Sequence, residues 1–253
     1  MIASLMMYQR PELAGAHDRL WAGIRMRLQS AGMDAPQALS QDAEEFLVWR
    51  HPDLVLSQTC GMPFRLWLHD HVALVGTPDY GLEGCAPGYY RSALVVRADD
   101  PREGVAAFHD ARFAYNQSFS QSGFAAPYWH TQPHGFFTER RIQTGGHLAS
   151  ARAVAEGQAD IAAIDAVTWR NIQAFEPFAK ALRVLDWTTP TPGLPLIAAR
   201  HCDPDVIFDA VQGALEKLSP EDADALGIKG LVRIPKAAYL SVRNPDDTIS
   251  PPF

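Results

Sequence analysis

The sequence predicts an α/β fold built as a sheet wrapped by helices, and three observations carry that prediction. Short apolar runs alternate with stretches of helical periodicity along most of the chain. Three runs, Asp53-Leu-Val-Leu-Ser57, His71-Val-Ala-Leu-Val75 and Ala93-Leu-Val-Val-Arg97, are nearly continuous in apolar character, as strands covered on both faces are. Helix stop and start signals such as Gly32, Gly157 and Asp203-Pro204 fall between the runs. Runs of this kind suggest a parallel sheet.

In chain order, Ile2 to Tyr8 reads as a first buried strand. The helix after it keeps Leu13, His17, Leu20, Trp21, Ile24 and Leu28 on one face and stops at Gly32. Ala43 to Arg50 is a short helix before the next strand. Pro101 to Ala111 has helical character and Arg112 to Tyr115 reads as a strand. His147 to Glu156 is a helix closed by Gly157, and Ala159 to Ile164 is a strand that delivers Asp165 at its carboxyl end, with Val167 to Phe175 helical behind it. Trp187-Thr-Thr-Pro-Thr-Pro-Gly-Leu-Pro195 is too rich in proline for a helix or a central strand and reads as a crossing segment. Leu196 to Ala199, a helix capped by Asp203, and a short helix from Ser219-Pro220 complete the pattern.

With 253 residues, 47% hydrophobic and 20% charged, the chain suits one large or two modest domains. A net charge of -7 without any block of lysine or arginine argues against nucleic acid as a partner. No segment approaches the roughly 20 apolar residues that span a bilayer. The first ten residues lack the basic region and long apolar core of a secretion signal. The expected location is therefore periplasmic if a signal was removed, and cytoplasmic otherwise. Cys60, Cys85 and Cys202 form no C-x-x-C pair; Cys60 and Cys85 lie in glycine-bearing loops and are either bridged in an oxidising compartment or ordinary thiols.

The stretch richest in chemistry is Asn116-Gln-Ser-Phe-Ser-Gln-Ser-Gly123, which places Ser118, Ser120 and Ser122 at alternate positions where a strand gives way to a helix. The first N–H groups of a helix lack internal partners, and the peptide dipoles add positive partial charge, so an anion can be held there without lysine or arginine. The plain alternative is that Ser120 or Ser122 caps the helix. Pro127 follows too closely for a straight helix and implies a kink or a very short first segment.

Gln58-Thr-Cys-Gly61, Val75-Gly-Thr-Pro78, Tyr90-Arg-Ser92, Ser120-Gln-Ser-Gly123, Thr144-Gly-Gly-His147 and Gly157-Gln-Ala-Asp-Ile-Ala-Ala-Ile-Asp165 occur in that order. Together they resemble the phosphate/phosphonate-type solute-binding components of ABC transporters, within the type II periplasmic binding protein superfamily. The resemblance runs from the first strand to about Arg200. It implies two α/β lobes joined by two hinge strands: residues 1–94 plus 192–253 as the first lobe and 95–191 as the second. The hinges fall near Leu94-Val95 and Thr189-Pro190, and the lobes close on ligand like a jaw.

Position by position, the resemblance assigns the oxyanion grip to Ser120, Gln121, Ser122 and Gly123, and a donor role to His147. Tyr8 and Tyr90 would reach across from the first lobe, and Asp165 would accept a ligand proton or pair with a ligand amine. Each has a plainer reading: His147 as a helix-start residue, Asp165 as a cap, and the two tyrosines as core cover. Trp169 and Trp187 either line the pocket or pack beneath it. Gln121 stands where phosphonate-preferring members often carry a hydroxyl residue, which leaves the ligand's identity open.

His69-Asp-His71 and His130-Thr-Gln-Pro-His134 offer paired imidazoles, but Pro133 spoils the helical face that the second spacing needs, and both read as solvated loops rather than metal sites. Signatures for nucleophilic hydrolysis, nucleotide hydrolysis and dinucleotide redox chemistry are absent, so no cofactor is expected. The leading expectation is a monomeric binding protein that captures a small oxyanion-bearing solute, such as phosphate, a phosphonate or a phosphorylated metabolite, for uptake through an ABC permease or for sensing. The alternative is a cofactor-biosynthesis enzyme on the same scaffold.

Overall fold

Twelve strands run through residues 1–245, which the computed structural model describes. They are β1 (Ile2–Ser4), β2 (Leu54–Gln58), β3 (Val72–Asp79), β4 (Tyr89–Tyr90), β5 (Ser92–Arg97), β6 (Phe113–Tyr115), β7 (Arg141–Gln143), β8 (Ile161–Asp165), β9 (Leu182–Trp187), β10 (Thr191–Pro192), β11 (Leu196–Ala199) and β12 (Gly230–Val232). The chain forms two units. One contains Met1–Tyr89 and Pro192–Ser241; the other is Tyr90–Thr191, with which residues 242–245 group.

The first unit's sheet has the order β1-β2-β11-β3-β12 and the second unit's has β7-β6-β8-β5-β9. Both are mixed rather than parallel. β1 runs parallel to β2, whereas β11 runs against β2 and β3, and β12 against β3. In the second unit β6 is parallel to β7 and β8, and β5 is antiparallel to β8 and β9. An apolar run reports burial on both faces and says nothing of direction. β5 and β11 each follow a chain crossing between the units without a crossover helix before them, so nothing obliges them to run with the βαβ strands.

The crossings lie at β4 and β10, two short strands that pair with each other. Leu94 and Val95, expected at a hinge, are instead fully buried in the middle of β5. Tyr90, expected on the first lobe, groups with the second unit because the chain enters β5 only two residues later. The tail departs from expectation as well. The Arg243 carbonyl accepts a 3.2 Å hydrogen bond from Trp129 Nε1, and its guanidinium lies 3.6 Å from the centre of that ring, which ties residues 242–245 to the second unit.

Several elements are shorter than expected for identifiable reasons. β1 ends at Ser4 because the Leu5 N–H leaves the ladder for Gln41 Oε1 at 2.7 Å, and Met6–Tyr8 forms a tight helical turn. Only Val105–Phe108 is helical within Pro101 to Ala111. There Arg102 is bound through its backbone and guanidinium to the Asp100 carboxylate, and Gly104 adopts φ 72°. β7, β9 and β12 were not anticipated; β7 is wholly exposed and β12 only half-buried, so neither shows an apolar signal.

Both sheets are covered by helices. In the first unit Leu20, Trp21, Ile24 and Leu28 of the Ala14–Ser30 helix pack with Leu56, Val75, Ala198 and with Ile207 and Val211 of the Pro204–Leu215 helix. In the second, Ala93, Val95, Ala162 and Ile164 pack with Val154 of the His147–Ala155 helix and with Trp169 and Ile172 of the Ala166–Phe175 helix. Leu94, Val96, Ile161 and Ala163 form a separate cluster with Phe108 and Phe113. Trp169 is thus core. Trp187 packs at the edge of the same cluster, with the Arg91 guanidinium 4.4 Å from its ring centre. Cys60 and Cys85 are thiols and not a disulfide.

Within the first unit, Gly193 N–H donates to the Gly88 carbonyl at 2.8 Å, and a Cβ at position 193 would stand 2.6 Å from that oxygen. Backbone cannot yield as a flexible side chain does, so only glycine fits. Gly193→Ala is expected to lower stability by about 1–3 kcal/mol, as overpacking of this kind does. Urea unfolding of the wild type and variant measures it.

Candidate functional site

The serine turn begins where β6 ends. Ser120 has extended backbone (φ -81°, ψ 127°) and its Oγ accepts from Gly123 N–H at 3.0 Å, so it caps the segment that it opens. That segment, Gln121–Ala125, is widely wound: the Ser120 carbonyl accepts from both Phe124 N–H (3.2 Å) and Ala125 N–H (3.0 Å). Ordinary helix resumes at Ala126–Thr131 with Pro127 in its first turn. The wide turn is the local answer to Pro127: it ends one segment and lets proline stand at the start of the next, where its missing N–H costs little.

Three neighbours hold the turn. Ser92 Oγ, at the start of β5, donates to the Ser122 carbonyl at 2.9 Å. Ser122 Oγ lies 2.9 Å from His147 Nε2, the ring at the first position of the His147–Ala155 helix. Gly123 faces the Asn116 carboxamide so closely that a Cβ there would overlap Asn116 Oδ1 and come within 3.2 Å of His147 Cε1. Glycine at 123 is therefore a steric requirement of the site. Ser120, Gln121 and Ser122 are all buried.

Burial pushes the His147 imidazole down to about 4, so at neutral pH it is uncharged. The groups assembled here are hydroxyls, amide N–H groups and a neutral imidazole, without formal charge. The Ser120 hydroxyl accepts from Gly123 and retains its own proton to donate. The N–H of Ser122, in the first turn of the segment, has no carbonyl partner within it. Such donors suit the oxygens of an anion and ask for no counter-cation.

The structure thus brings Ser120, Gln121, Ser122, Gly123 and His147 together. Asp165 lies across the ladder from Ser92, but its Oδ1 accepts from Val167 N–H (2.8 Å) and Thr168 N–H (3.0 Å), which is the capping role. Tyr90 is buried two residues before Ser92. Tyr8 belongs to the first unit, where it packs edge-on against Tyr80 with ring centres 5.1 Å apart. Sequence reasoning missed Ser92 and Asn116 as site residues. Ser92 had a signal, a lone polar residue opening an apolar run, since a buried hydroxyl must find a partner.

His130 Nε2 meets Asp186 Oδ2 at 3.0 Å and His69 Nδ1 meets Asp70 Oδ1 at 3.0 Å, so each of these histidines has a carboxylate beside it. Among the described residues no group of three or more metal-ligating side chains converges, and no helix is long and apolar enough to cross a membrane.

Residues 69–239 match the family described as ABC transporter, phosphonate, periplasmic substrate-binding protein. No curated protein sequence matches the chain. Similar solved structures include PhnD1 of Prochlorococcus marinus in complex with methylphosphonate, at 14% identity and a TM-score of 0.71 over 94% of each chain. A binding-protein component of an ABC phosphonate transporter from Pseudomonas aeruginosa is 16% identical, with a TM-score of 0.68 over 95% of this chain and 82% of that one. A Xanthomonas citri protein bound to chloride ion is 15% identical, with a TM-score of 0.64 over 94% of this chain and 92% of that one. At such identities the likeness is one of fold.

Burial of His147 makes stability depend on pH. Its folded pKa lies below its unfolded value, so the unfolded chain binds the extra proton, and stability is complete above about 6.5 and falls as the pH drops toward about 4. Burial lowers His17 in the same direction, so the effect is isolated by difference. Melting temperatures of the wild type and His147→Gln between pH 7 and pH 4 are expected to show a shallower decline in the variant.

Proposed function

The chain belongs to the family of periplasmic substrate-binding proteins of phosphonate ABC transporters, a family of binding proteins rather than enzymes, and on that premise we propose that its second unit grips a phosphonate or phosphate group at the Ser120–Gly123 turn. The observation that carries this reading is the double tether of the turn, from Ser92 to the Ser122 carbonyl and from His147 to the Ser122 hydroxyl. A donor set fixed in advance loses little freedom when the anion arrives, and preorganisation of this kind favours affinity.

The chemistry is replacement of a hydration shell. The Ser120 hydroxyl and the first-turn N–H groups donate to the anion's oxygens, joined by the Ser122 hydroxyl in the tautomer that has His147 Nε2–H donating to Ser122 Oγ, and the wide turn spreads those donors over more than one oxygen. Neutral donors explain how a chain of net charge -7 holds an anion. His147, uncharged, serves Ser122 as a positioning partner. Asp165 caps the helix start through Oδ1, and contact of its carboxylate with a ligand proton or amine belongs to this proposal as well. Closure of the two units over the ligand, with Tyr8 and Tyr90 as further contacts, belongs to this proposal and rests on the family's architecture. A periplasmic location and delivery of the ligand to a membrane permease follow from family membership.

Isothermal titration with methylphosphonate, 2-aminoethylphosphonate, phosphate and sulfate tests the reading. Binding of at least one phosphonate with one-to-one stoichiometry is expected. Ser120→Ala and Ser122→Ala should each weaken it by roughly tenfold or more, the range for one charge-assisted hydrogen bond of about 1.5–3 kcal/mol. Undiminished affinity in both variants would place the ligand elsewhere.

A further inference from the structure

A cavity of about 340 Å³ is lined wholly by residues of the first unit, whereas the serine turn belongs to the second. Its wall is drawn from the residues just before β2, just before β3 and just after β11, which is one end of that unit's sheet. Gln58, Asp79 and Tyr80 stand at the opposite end of those strands, toward which the Trp49 indole reaches from the lining. In open α/β sheets ligands ordinarily bind beyond the carboxyl ends of the parallel strands, so a cavity at the amino ends of β2 and β3 is not the expected site of the fold.

The lining is chemically lopsided. Arg50, Arg200, His51, His71 and His201 contribute to it, and no aspartate or glutamate does, in a chain of net charge -7. Two of these groups have their donors defined. Arg200 Nη1 donates to the Asp70 carbonyl at 2.7 Å, which fixes the guanidinium and leaves its other N–H groups for a further acceptor. His51 Nδ1 accepts from Asp53 N–H at 3.0 Å, which puts the ring proton on Nε2 as a donor.

Beneath this rim the floor is apolar. Trp49 is buried and anchored by its Nε1 donating to the Gln58 carbonyl at 3.0 Å, so its ring cannot swing out. Trp67 is half-buried and tilted against Phe46 with ring centres 5.8 Å apart. A hydrophobic, aromatic wall with a few convergent polar groups is the make-up of a small-molecule site, and the volume lies in the usual range.

We propose that this cavity is a second ligand site, one that takes a small organic anion with a flat apolar body, its carboxylate or phosphate held by Arg200 and the histidines and its body laid against Trp67. The guanidinium supplies paired N–H donors matched to two oxygens of one acid group, and the indole supplies the face that a flat ring stacks on. Inorganic phosphate uses only half of these features and binds here weakly.

Phenyl phosphate, with inorganic phosphate and benzyl alcohol as the anionic and apolar halves, tests the assignment by isothermal titration on the whole chain. Methylphosphonate at saturation is kept present to fill the serine turn. Phenyl phosphate is expected to bind at least tenfold more tightly than either half, with quenching of tryptophan emission. Arg200→Gln is expected to weaken it at least tenfold while leaving methylphosphonate affinity unchanged, and Arg50→Gln provides a second variant should Arg200→Gln fold poorly. Absence of binding, equal affinity for inorganic phosphate, or loss of phenyl phosphate binding in Ser122→Ala but not in the arginine variants would each overturn the second site.

Discussion

The hydrogen bond from Ser92 to the Ser122 carbonyl is the interaction on which the rest of the site depends. Ser92 opens β5, a strand buried between β8 and β9, so its hydroxyl is held by the most constrained part of the second unit. The Ser92 N–H is itself fixed by Thr188 Oγ1 at 2.9 Å, and Thr188 N–H returns a bond to the Ser92 carbonyl at 3.0 Å. This anchor sets the position of the turn. Ser122 can then reach His147, and Gly123 can press against Asn116, which holds the donors of the turn in place.

The cost of this arrangement is polar burial, and the structure meets it at the hydroxyls and at Asp165, while Asn116 Oδ1 and His147 Nδ1 are buried without a hydrogen-bond partner. Ser92, Ser120, Ser122 and Asp165 are all within 4% of complete burial, and each has a hydrogen-bond partner. A neutral His147 avoids the larger penalty of a buried cation. The same accounting explains why the capping and binding readings of Ser120 are compatible: its oxygen accepts from Gly123 N–H, and its proton is a separate resource.

Much of this was legible in the sequence where one residue type has one physical meaning. Gly32 and Gly157 end helices with φ of 79° and 73°, and Asp203 caps the Pro204 helix, as their types require. The serine turn was legible because three hydroxyls and a glycine at a strand-to-helix junction have few uses. Partners were not. Nothing local to Ser92 names Ser122, thirty positions on, and nothing in Gly146-His147 says that burial leaves the ring neutral. Strand direction was hidden because β5 and β11 look the same read either way, and β7 because an exposed three-residue strand carries no apolar signal. Asp165 satisfied two readings at the level of sequence, and the positions of Val167 and Thr168 N–H show the capping one without excluding the other.

The central claim is that fixed, uncharged donors of the 120–123 turn hold the anion. Amide and hydroxyl proton NMR with and without saturating methylphosphonate tests it most directly. The account predicts large downfield shifts of the Gln121 and Ser122 amide protons and slowed exchange of the Ser120 and Ser122 hydroxyl protons, as hydrogen bonds to phosphonate oxygens form. Binding that leaves these resonances in place and moves those of arginine or lysine side chains instead would contradict it.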